Sequence, residues 1–365
     1  MKILFIINHL NVGGITSYSL TLAKGLKAAG HGVYCATYAG ELLPKFKEAG
    51  VVYMHIPIKT KKEINPKILY SVFKLSKIIK AEKIDIVHTH SRTTQVLGSL
   101  LQWFTGVKHV FTCHGFFKSR ILRRLFPCWG DKIIAVSQQV KDHLVQDFKV
   151  SDKKIVVINN GIDADRFIGE LSKTKDEIRQ ELGLNHGPLV GIIARLSDVK
   201  GHKYLIEAMK VVLEKAPSAQ LVIIGEGKMQ EELKNLTMGI GISKSVIFIQ
   251  QTSNMQEALS VMDVFVMPSL QEGLGLALME AMASGLSVVG SNVGGIKTLI
   301  EHGRNGLLVE PADSQGLACA ISKLLDDVSL RERLGIEARK FIQNNFSQKK
   351  MVDQTLEVYA SCLRE

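Results

Sequence analysis

The chain has 365 residues, of which 46% are hydrophobic and 22% are charged, and this composition excludes a disordered protein. Its length suits two domains of roughly 150–180 residues better than one core. The net charge is +11, and the surplus lies in residues 1–165, which hold 24 Lys and Arg against 11 Asp and Glu. Such asymmetry indicates an anionic partner for the first half: a membrane surface, a phosphorylated substrate or nucleic acid. A solvated, lysine-rich surface explains it equally well.

The first half alternates short β-branched runs with amphipathic stretches, a pattern typical of a doubly wound parallel sheet. Buried strands are predicted at Lys2–Ile7, Val33–Thr37, Val51–Ile56, Ile84–His88, His109–Cys113, Ile133–Val136 and Ile155–Ile158. After a polar stretch, further strands are predicted at Leu189–Ala194, Leu221–Ile224, Val246–Ile249, Val264–Met267, Ser287–Gly290 and Leu307–Val309. We therefore predict an α/β protein with two Rossmann-like domains, 1–165 and 189–346, joined by a linker at 166–188 and facing across a cleft. A C-terminal helix at residues 347–365 is expected to pack back on the first domain.

The cellular location is predicted from the cysteines and the apolar runs. Five Cys residues, odd in number and without a C-x-x-C pair, indicate reduced thiols rather than disulfides or a zinc site. No apolar run reaches the length of a membrane span, and the run Lys2–Ile7 is too short for the core of a signal peptide. We expect a cytoplasmic protein, with peripheral contact to the inner face of the plasma membrane left open.

The first predicted strand leads into a loop that contains Gly13 and Gly14, and a helix follows. A glycine pair at this position lets the backbone approach a ligand and directs free N–H groups toward an anion. The loop lacks the spacing G-x-G-x-x-G, and no acidic residue clearly ends the second strand, so a nicotinamide-binding fold is disfavoured. A plain strand-to-helix turn explains the loop equally well.

The second half has a more specific segment, Pro268–Gly285, which follows a strand and opens a helix. Glu272 lies in its glycine-flanked turn, and Glu280 lies about two helical turns further on. The turn supplies backbone amides suited to a diphosphate, and the two carboxylates can accept hydrogen bonds from sugar hydroxyls. Upstream, Arg195 and Lys200 follow a strand and could neutralise a leaving pyrophosphate.

Three further segments complete the pattern: Asn160–Asp163, Gly225–Gly227, which could admit a flat base, and Val293–Gly295. Together with the E-x7-E segment from Glu272 to Glu280, they resemble the GT-B-fold glycosyltransferases of the retaining family 4, the "glycosyl transferases group 1" type. The resemblance covers essentially the whole chain. It implies the GT-B fold and transfer of a sugar, with retention, from a nucleotide-diphosphate sugar to an acceptor hydroxyl. It also makes envelope glycans, such as lipopolysaccharide or polysaccharide, and glycolipids the expected products.

The resemblance implies roles for individual residues. His114 would lie at the reacting centre near a donor-sugar hydroxyl, Glu272 would contact the transferred sugar, and Glu280 would bind the ribose. The remaining donor contacts would come from Gly14, Arg195, Lys200, Gly225, Gly227, Gly273, Leu274, Gly275 and Leu276. No cofactor or metal is expected, because Arg195 and Lys200 would neutralise the diphosphate. The D-x-D triplet Asp163–Asp165 lies inside the Asn-Gly-Ile-Asp motif and is not expected to bind metal.

Candidates for contact with an acceptor or a membrane lie in the first half, at Gly13, His90, Lys118, Arg120, Arg123 and Arg124. The basic, apolar stretch Phe116–Phe126 lies beside His114 and favours such a contact. Pro66–Lys83 has a similar composition, but there a core face with solvated lysines is favoured. His90 belongs to a His88-Thr89-His90 segment at a strand end. We expect it either to pack locally or to contact the acceptor.

Two other classes of function remain open from the sequence. The pI of 9.3 would suit a nucleic-acid-binding protein, although no recognition motif supports one. A GT-B-fold nucleotide-sugar epimerase would share the fold but not the E-x7-E segment, and a phosphorylase would need a pyridoxal lysine that nothing marks. Products formed from a nucleotide sugar with and without acceptor would separate these classes.

Overall fold

The computed structural model describes residues 1–58, 65–117, 123, 126–169, 171–250 and 254–364. The chain divides into two compact units. The first unit consists of Met1–Gly161 with Gln348–Glu365, and the second of Ile162–Ser347. Each unit is built around one parallel sheet, as predicted.

The first unit has a seven-stranded sheet in the order β3-β2-β1-β4-β5-β6-β7, and all the pairings are parallel. Its strands are β1 (Lys2–Ile6), β2 (Gly32–Thr37), β3 (Val52–His55), β4 (Ile86–Thr89), β5 (Lys108–Cys113), β6 (Lys132–Ala135) and β7 (Ile155–Val157). The strand order reverses between β1 and β4. The loops that leave these two strands therefore turn away from each other and leave a crevice between them. Ligands bind in this crevice in open parallel sheets.

Five helices of the described residues precede the second unit, and three of them begin at a residue whose side chain caps the helix. They are α1 (Gly14–Ala28), α2 (Leu43–Glu48), α3 (Pro66–Glu82), α4 (Arg92–Thr105) and α5 (Gln138–Phe148). The Asn65 side chain caps α3, Ser91 and Thr94 form a capping box at α4, and Ser137 caps α5. The side chains of α3 and α4 pack with those of β1, β2 and β4 in one apolar core.

The second unit has a six-stranded parallel sheet in the order β10-β9-β8-β11-β12-β13. Its strands are β8 (Leu189–Ile193), β9 (Gln220–Ile224), β10 (Val246–Ile249), β11 (Val264–Met267), β12 (Ser287–Ser291) and β13 (Leu307–Val309). Here the order reverses between β8 and β11. The segments that contain Lys200 and Glu272 follow these two strands, so the topology brings both to one edge of the sheet.

Helices cover the second sheet, and one more returns the chain to the first unit. They are α6 (Lys175–Glu181), α7 (His202–Lys215), α8 (Gln230–Gly239), α9 (Met255–Ser260), α10 (Leu276–Ala283), α11 (Ile296–Leu299), α12 (Ser314–Asp326), α13 (Val328–Asn345) and α14 (Gln348–Arg364). Helix α14 packs on α1, where the Gln348 side chain donates a hydrogen bond to the Thr21 carbonyl at 2.6 Å.

The linker predicted at 166–188 is not a linker in the structure. This polar stretch is an integral part of the second unit. Helix α6 begins in a capping box formed by Thr174 and Glu177. Arg179 then donates a hydrogen bond to the Val261 carbonyl at 3.0 Å and lies 3.8 Å from Asp263. The polar composition therefore reflects a capped surface helix, and the unit boundary falls between Gly161 and Ile162.

Candidate functional site

The loops that follow β8 and β11 touch through their backbones. The Leu270 amide donates a hydrogen bond to the Val199 carbonyl at 2.8 Å. Gly201 has a φ of +70°, and a Cβ atom at this position would lie 1.9 Å from the Pro268 carbonyl oxygen. Only glycine fits here, because both the left-handed conformation and the contact exclude a side chain. This contact holds Lys200 beside the glycine-flanked turn.

A third loop supports the same turn from the end of β12. The Gly295 amide donates to the Glu272 carbonyl at 3.0 Å, and a Cβ atom at Gly295 would lie 2.2 Å from the Gly273 carbonyl oxygen. The Val293–Gly295 segment is therefore a packing surface for the turn. Three loops, from β8, β11 and β12, together fix the backbone around Glu272.

The side chains of Lys200 and Glu272 meet at this point. The Lys200 ammonium donates a hydrogen bond to Glu272 Oε2, and Ser269 Oγ lies 3.4 Å from the same oxygen. Both charged side chains are mostly buried. Two charges that have lost most of their hydration are tolerated together because each compensates the other. Two residues assigned from the sequence to the donor are thus direct partners, a pairing that spacing alone did not predict.

Arg195 follows β8 and is exposed. Within the parts of the chain that the structure describes, its guanidinium makes no hydrogen bond or ion pair. It is a free cation at the same edge of the sheet as Lys200, and a planar guanidinium suits two oxygens of a phosphate at once.

The glycine-flanked turn ends at the N-terminus of α10. Gly275 is the N-cap with a φ of +96°, and the first turn of the helix contains no acidic residue. Leu274 is buried, so it anchors the turn, and Leu276 begins the helix. The first amides of a helix lack intrahelical partners and carry partial positive charge, so the Gly273–Leu276 segment suits an anionic group.

Glu280 lies in the second turn of α10 and is half-buried. Loss of hydration raises its pKa to about 7, and the nearby Arg166 guanidinium opposes that rise. Arg166 was missed from the sequence. Its position three residues after Asp163, the last residue of the Asn160–Asp163 motif, was the available signal.

The glycines at 225 and 227 have a packing explanation. Cβ atoms at Gly225 and Gly227 would lie 2.1 Å from the Ala194 carbonyl oxygen and 2.0 Å from the Leu196 carbonyl oxygen. The Leu196 amide also donates to the Glu226 carbonyl at 2.9 Å. The glycines are thus required for the loop after β9 to lie along the end of β8, whether or not a base also binds there.

In the first unit, Gly13 and Gly14 lie at the start of α1 and are both exposed. A Cβ atom at Gly13 would meet no atom within 4 Å. Packing within the described residues therefore gives no reason for glycine at this position. An open backbone at a helix start suits close approach of a ligand.

His114 follows β5 and has a half-buried imidazole ring. The Tyr18 ring packs edge-on against it with ring centroids 4.7 Å apart, and His90 Nδ1 lies 3.3 Å from His114 Nε2. Burial lowers the pKa of His114 to about 3, so the ring is neutral at physiological pH.

Two of the predicted acceptor or membrane contacts are corrected by burial. His90 is only 2% exposed and lies behind His114, against Phe5 and Tyr18. Arg123 is 7% exposed, with its guanidinium 4.2 Å from the centre of the Phe117 ring. A cation stacked on an aromatic face is stabilised within the protein, so Arg123 is not the exposed surface cation that was predicted. Lys118, Arg120 and Arg124, predicted in the same stretch, lie outside the described residues.

Over the described residues, no group of three or more His, Cys, Asp or Glu side chains could hold a metal ion, and Asp163 and Asp165 are exposed. In the same part of the chain, no helix combines the length and the apolar composition needed to cross a bilayer.

Comparison with known proteins identifies the family. Residues 12–166 match the family described as Glycosyltransferase Family 4, and residues 174–341 match Glycosyl transferases group 1. The chain is 32% identical over 307 residues to the UDP-Gal:alpha-D-GlcNAc-diphosphoundecaprenol alpha-1,3-galactosyltransferase of Escherichia coli, covering 79% of this chain and 78% of that protein. The chain belongs to the group 1 glycosyltransferases of family 4. It is a glycosyltransferase that uses nucleotide sugars, and the epimerase and nucleic-acid alternatives are not favoured.

Solved structures confirm the predicted GT-B fold. HepE of Anabaena in complex with UDP and glucose has a TM-score of 0.87 at 22% identity, covering 99% of this chain and 100% of that chain. A glycosyltransferase from Rickettsia africae has a TM-score of 0.86 at 24% identity, covering 100% and 99%. At these identities the similarity establishes the fold.

The ion pair can be tested by a double-mutant cycle. Lys200→Met leaves the mostly buried Glu272 carboxylate unpaired, so we expect the free energy of unfolding, measured by calorimetry, to fall by about 1–3 kcal/mol. Lys200→Met with Glu272→Gln should recover most of this loss, because neither charge remains. Arg195→Met, the matched control, should change stability by less than about 0.5 kcal/mol. Wild-type stability of Lys200→Met would contradict the pairing.

Glu280 predicts a pH dependence of stability. Because its pKa is raised in the folded state to about 7, the folded state holds a proton that the unfolded state releases between pH 4.5 and 7. Wild-type stability therefore falls across that window relative to Glu280→Gln. We expect the two proteins to be similar at pH 5, and the Gln variant to be about 1–3 kcal/mol more stable at pH 8. A difference that does not change between pH 5 and 8 would show that Glu280 keeps an ordinary pKa.

Proposed function

We propose that this glycosyltransferase moves a sugar from a nucleoside-diphosphate sugar to an acceptor hydroxyl with retention, in the synthesis of an envelope glycan or glycolipid. The observation that carries the proposal is the contact of Lys200 with Glu272 beside the Gly273–Leu276 turn. A phosphate oxygen that shares the Lys200 ammonium brings the sugar attached to it next to Glu272. The geometry therefore supports one site that holds both the leaving group and the transferred sugar.

The proposed donor contacts differ in charge: cations bind the diphosphate, and a carboxylate binds the ribose. Arg195 and Lys200 neutralise the diphosphate as the glycosidic bond breaks, and the amides of the Gly273–Leu276 turn face its oxygens. Glu280 accepts hydrogen bonds from the ribose hydroxyls, and it does so most strongly in its ionised form, in which both oxygens are acceptors. Arg166 favours that form, because its positive charge opposes the rise in the pKa of Glu280. With two cations at the diphosphate, the proposed reaction needs no metal.

Residues of the first unit are proposed to contact the donor sugar and the acceptor. His114 contacts a hydroxyl of the donor sugar as a neutral ring, Gly14 contacts the donor, and Gly13 the acceptor. We assign no enzyme nucleophile. Retention then requires attack on the same face from which the phosphate leaves, with a phosphate oxygen taking the acceptor proton.

The names of relatives guide the choice of substrates. The Escherichia coli relative is named for a UDP-galactose donor and a diphosphoundecaprenol acceptor, and a Staphylococcus aureus relative, 26% identical over 313 residues, is named for capsular polysaccharide biosynthesis. HepE was also solved with UDP-glucose. These names support uridine diphosphate sugars as the first donors to test and polyprenol-linked glycans as the first acceptors. A cytoplasmic enzyme that meets its acceptor at the inner membrane face fits this proposal.

The test combines product analysis with a matched pair of variants. NMR of the product should show the anomeric configuration of the donor, and inversion would refute the proposal. Glu272→Gln should lower kcat while the free nucleoside diphosphate still binds, because Glu272 acts where charge and geometry change in the transition state. Glu280→Gln should mainly raise the donor KM, by an amount equivalent to about 1.5–3 kcal/mol. If Glu272→Gln loses nucleotide binding in calorimetry and Glu280→Gln keeps it, the two roles are reversed.

Helix α3 supports peripheral contact with anionic lipid. Its inner face is core, as predicted, but Leu69, Tyr70 and Phe73 are 66%, 57% and 64% exposed on the outer face. Lys77 lies on the same face, with its ammonium 4.4 Å from the centre of the Phe73 ring. Helix-spaced apolar residues beside lysines suit the boundary of an anionic bilayer, where each nearby cation contributes about 1 kcal/mol.

Vesicle binding tests this contact. Leu69→Ser with Phe73→Ser should lower partition onto phosphatidylglycerol-containing vesicles by about tenfold. Lys77→Gln should weaken binding to these vesicles and leave binding to pure phosphatidylcholine unchanged. Ile336→Ser, which alters an exposed apolar residue of the second unit, is the control. Equal binding by the α3 double variant and the control would exclude α3 as the contact.

A further inference from the structure

His90 is the imidazole directly behind His114. Its Nδ1 atom lies 3.3 Å from His114 Nε2, and its ring lies against the rings of Phe5 and Tyr18 at centroid distances of 5.4 and 5.8 Å. The ring is also 4.3 Å from the His88 ring. The ring is packed on several sides, so rotation that would break the contact with His114 is hindered.

The second nitrogen of His90 decides where its proton lies. His90 Nε2 is buried and has no hydrogen-bond partner in the described parts of the chain. Burial is the main factor that lowers the pKa of His90 well below its usual value, so the ring is neutral and carries one proton. A buried N–H without an acceptor costs about 1–3 kcal/mol, and orphaned donors are rarer than orphaned acceptors. The proton is therefore favoured on Nδ1, where His114 Nε2 accepts it.

We propose that His90 is a positioning residue that holds His114 in the tautomer with a proton on Nδ1 and with Nε2 occupied. His114 then meets the substrate as a hydrogen-bond donor and not as a base, because the lone pair that could take a proton already accepts from His90. This inference rests on the proposed role of His114 at the reacting centre. It assigns to His90 a part in catalysis through His114, whereas the sequence left local packing and acceptor contact open.

The surroundings of His88 keep this arrangement in place. His88 Nδ1 lies 2.6 Å from the Tyr359 hydroxyl, and His88 Nε2 lies 2.6 Å from Thr112 Oγ1. Tyr359 belongs to α14, the helix that returns from the second unit. Because both nitrogens of His88 have partners of their own, His88 does not compete for the Nδ1 proton of His90.

The tautomer can be observed directly. Long-range 1H–15N correlation spectra of the full chain labelled with [15N]histidine distinguish protonated from unprotonated ring nitrogens, and loss of one pattern in His114→Ala assigns it. We expect His114 to show a protonated Nδ1 and an unprotonated Nε2 at pH 7. In His90→Leu this preference should be lost. A protonated Nε2 on His114 in the wild-type protein would overturn the inference.

Kinetics separate positioning from simple packing. An Asn side chain carries its amide close to the place of a histidine Nδ1, so His90→Asn can still donate to His114, and His90→Leu cannot. We expect His90→Leu to lower kcat about tenfold with the donor KM changed less than twofold, and His90→Asn to recover much of kcat. Equal loss of kcat in both variants, in parallel with their melting temperatures, would refute positioning.

His109 provides the matched control. It is a buried histidine on β5 whose ring nitrogens contact Thr89 at 2.8 Å and Ser99 at 3.4 Å, without a hydrogen bond to His114. His109→Leu should lower the melting temperature and leave the His114 spectrum unchanged. Undiminished turnover of His114→Ala would refute the proposed role of His114, whereas a proton on Nε2 in the wild-type spectrum would refute the inference about His90 alone.

Discussion

The close contact of three backbone loops at the carboxyl edge of the second sheet is the constraint on which the candidate donor site depends. Gly201 and Gly295 bring their loops against the carbonyls of Pro268 and Gly273 at distances that no side chain permits. The position of Lys200 follows from the first of these contacts, because Lys200 directly precedes Gly201. A binding site built on such contacts is preorganised, because little backbone freedom is left to lose when a ligand arrives.

Sheet topology explains why separate motifs meet. In each unit the strand order reverses once, between β1 and β4 in the first and between β8 and β11 in the second. Arg195, Lys200 and Glu272 lie in loops next to that reversal in the second unit, and Gly13, Gly14 and His90 do so in the first. Motifs far apart in sequence therefore become neighbours because of strand order. The alternating strands and helices of the sequence predict the parallel sheet in which this order occurs.

Much of this architecture could be predicted from the sequence. Buried parallel strands are short, β-branched runs, and thirteen such runs became the thirteen strands of the two sheets. The Glu272–Glu280 segment could be recognised because its glycines and carboxylates occur at fixed spacing. Contacts between side chains were harder to predict, since sequence spacing does not reveal that the carboxylate of Glu272 binds Lys200. The burial of Arg123 could not be predicted for the same reason. An arginine among aromatic residues in the sequence can be exposed at the surface or stacked on an aromatic ring in the interior.

The two units differ in how they handle charge at their candidate residues. The positive surplus of the first half is a surplus of Lys and Arg over Asp and Glu. Burial keeps His90 and His114 neutral, so the proposed reacting centre adds no histidine charge to it. The surplus includes exposed groups such as Lys77 on α3, which suits contact with an anionic partner. Residues 166–365 have 22 Lys and Arg against 24 Asp and Glu, but Arg195 and Lys200 are gathered at one sheet edge. Net charge therefore points to partners, whereas the placement of a few charges determines the chemistry.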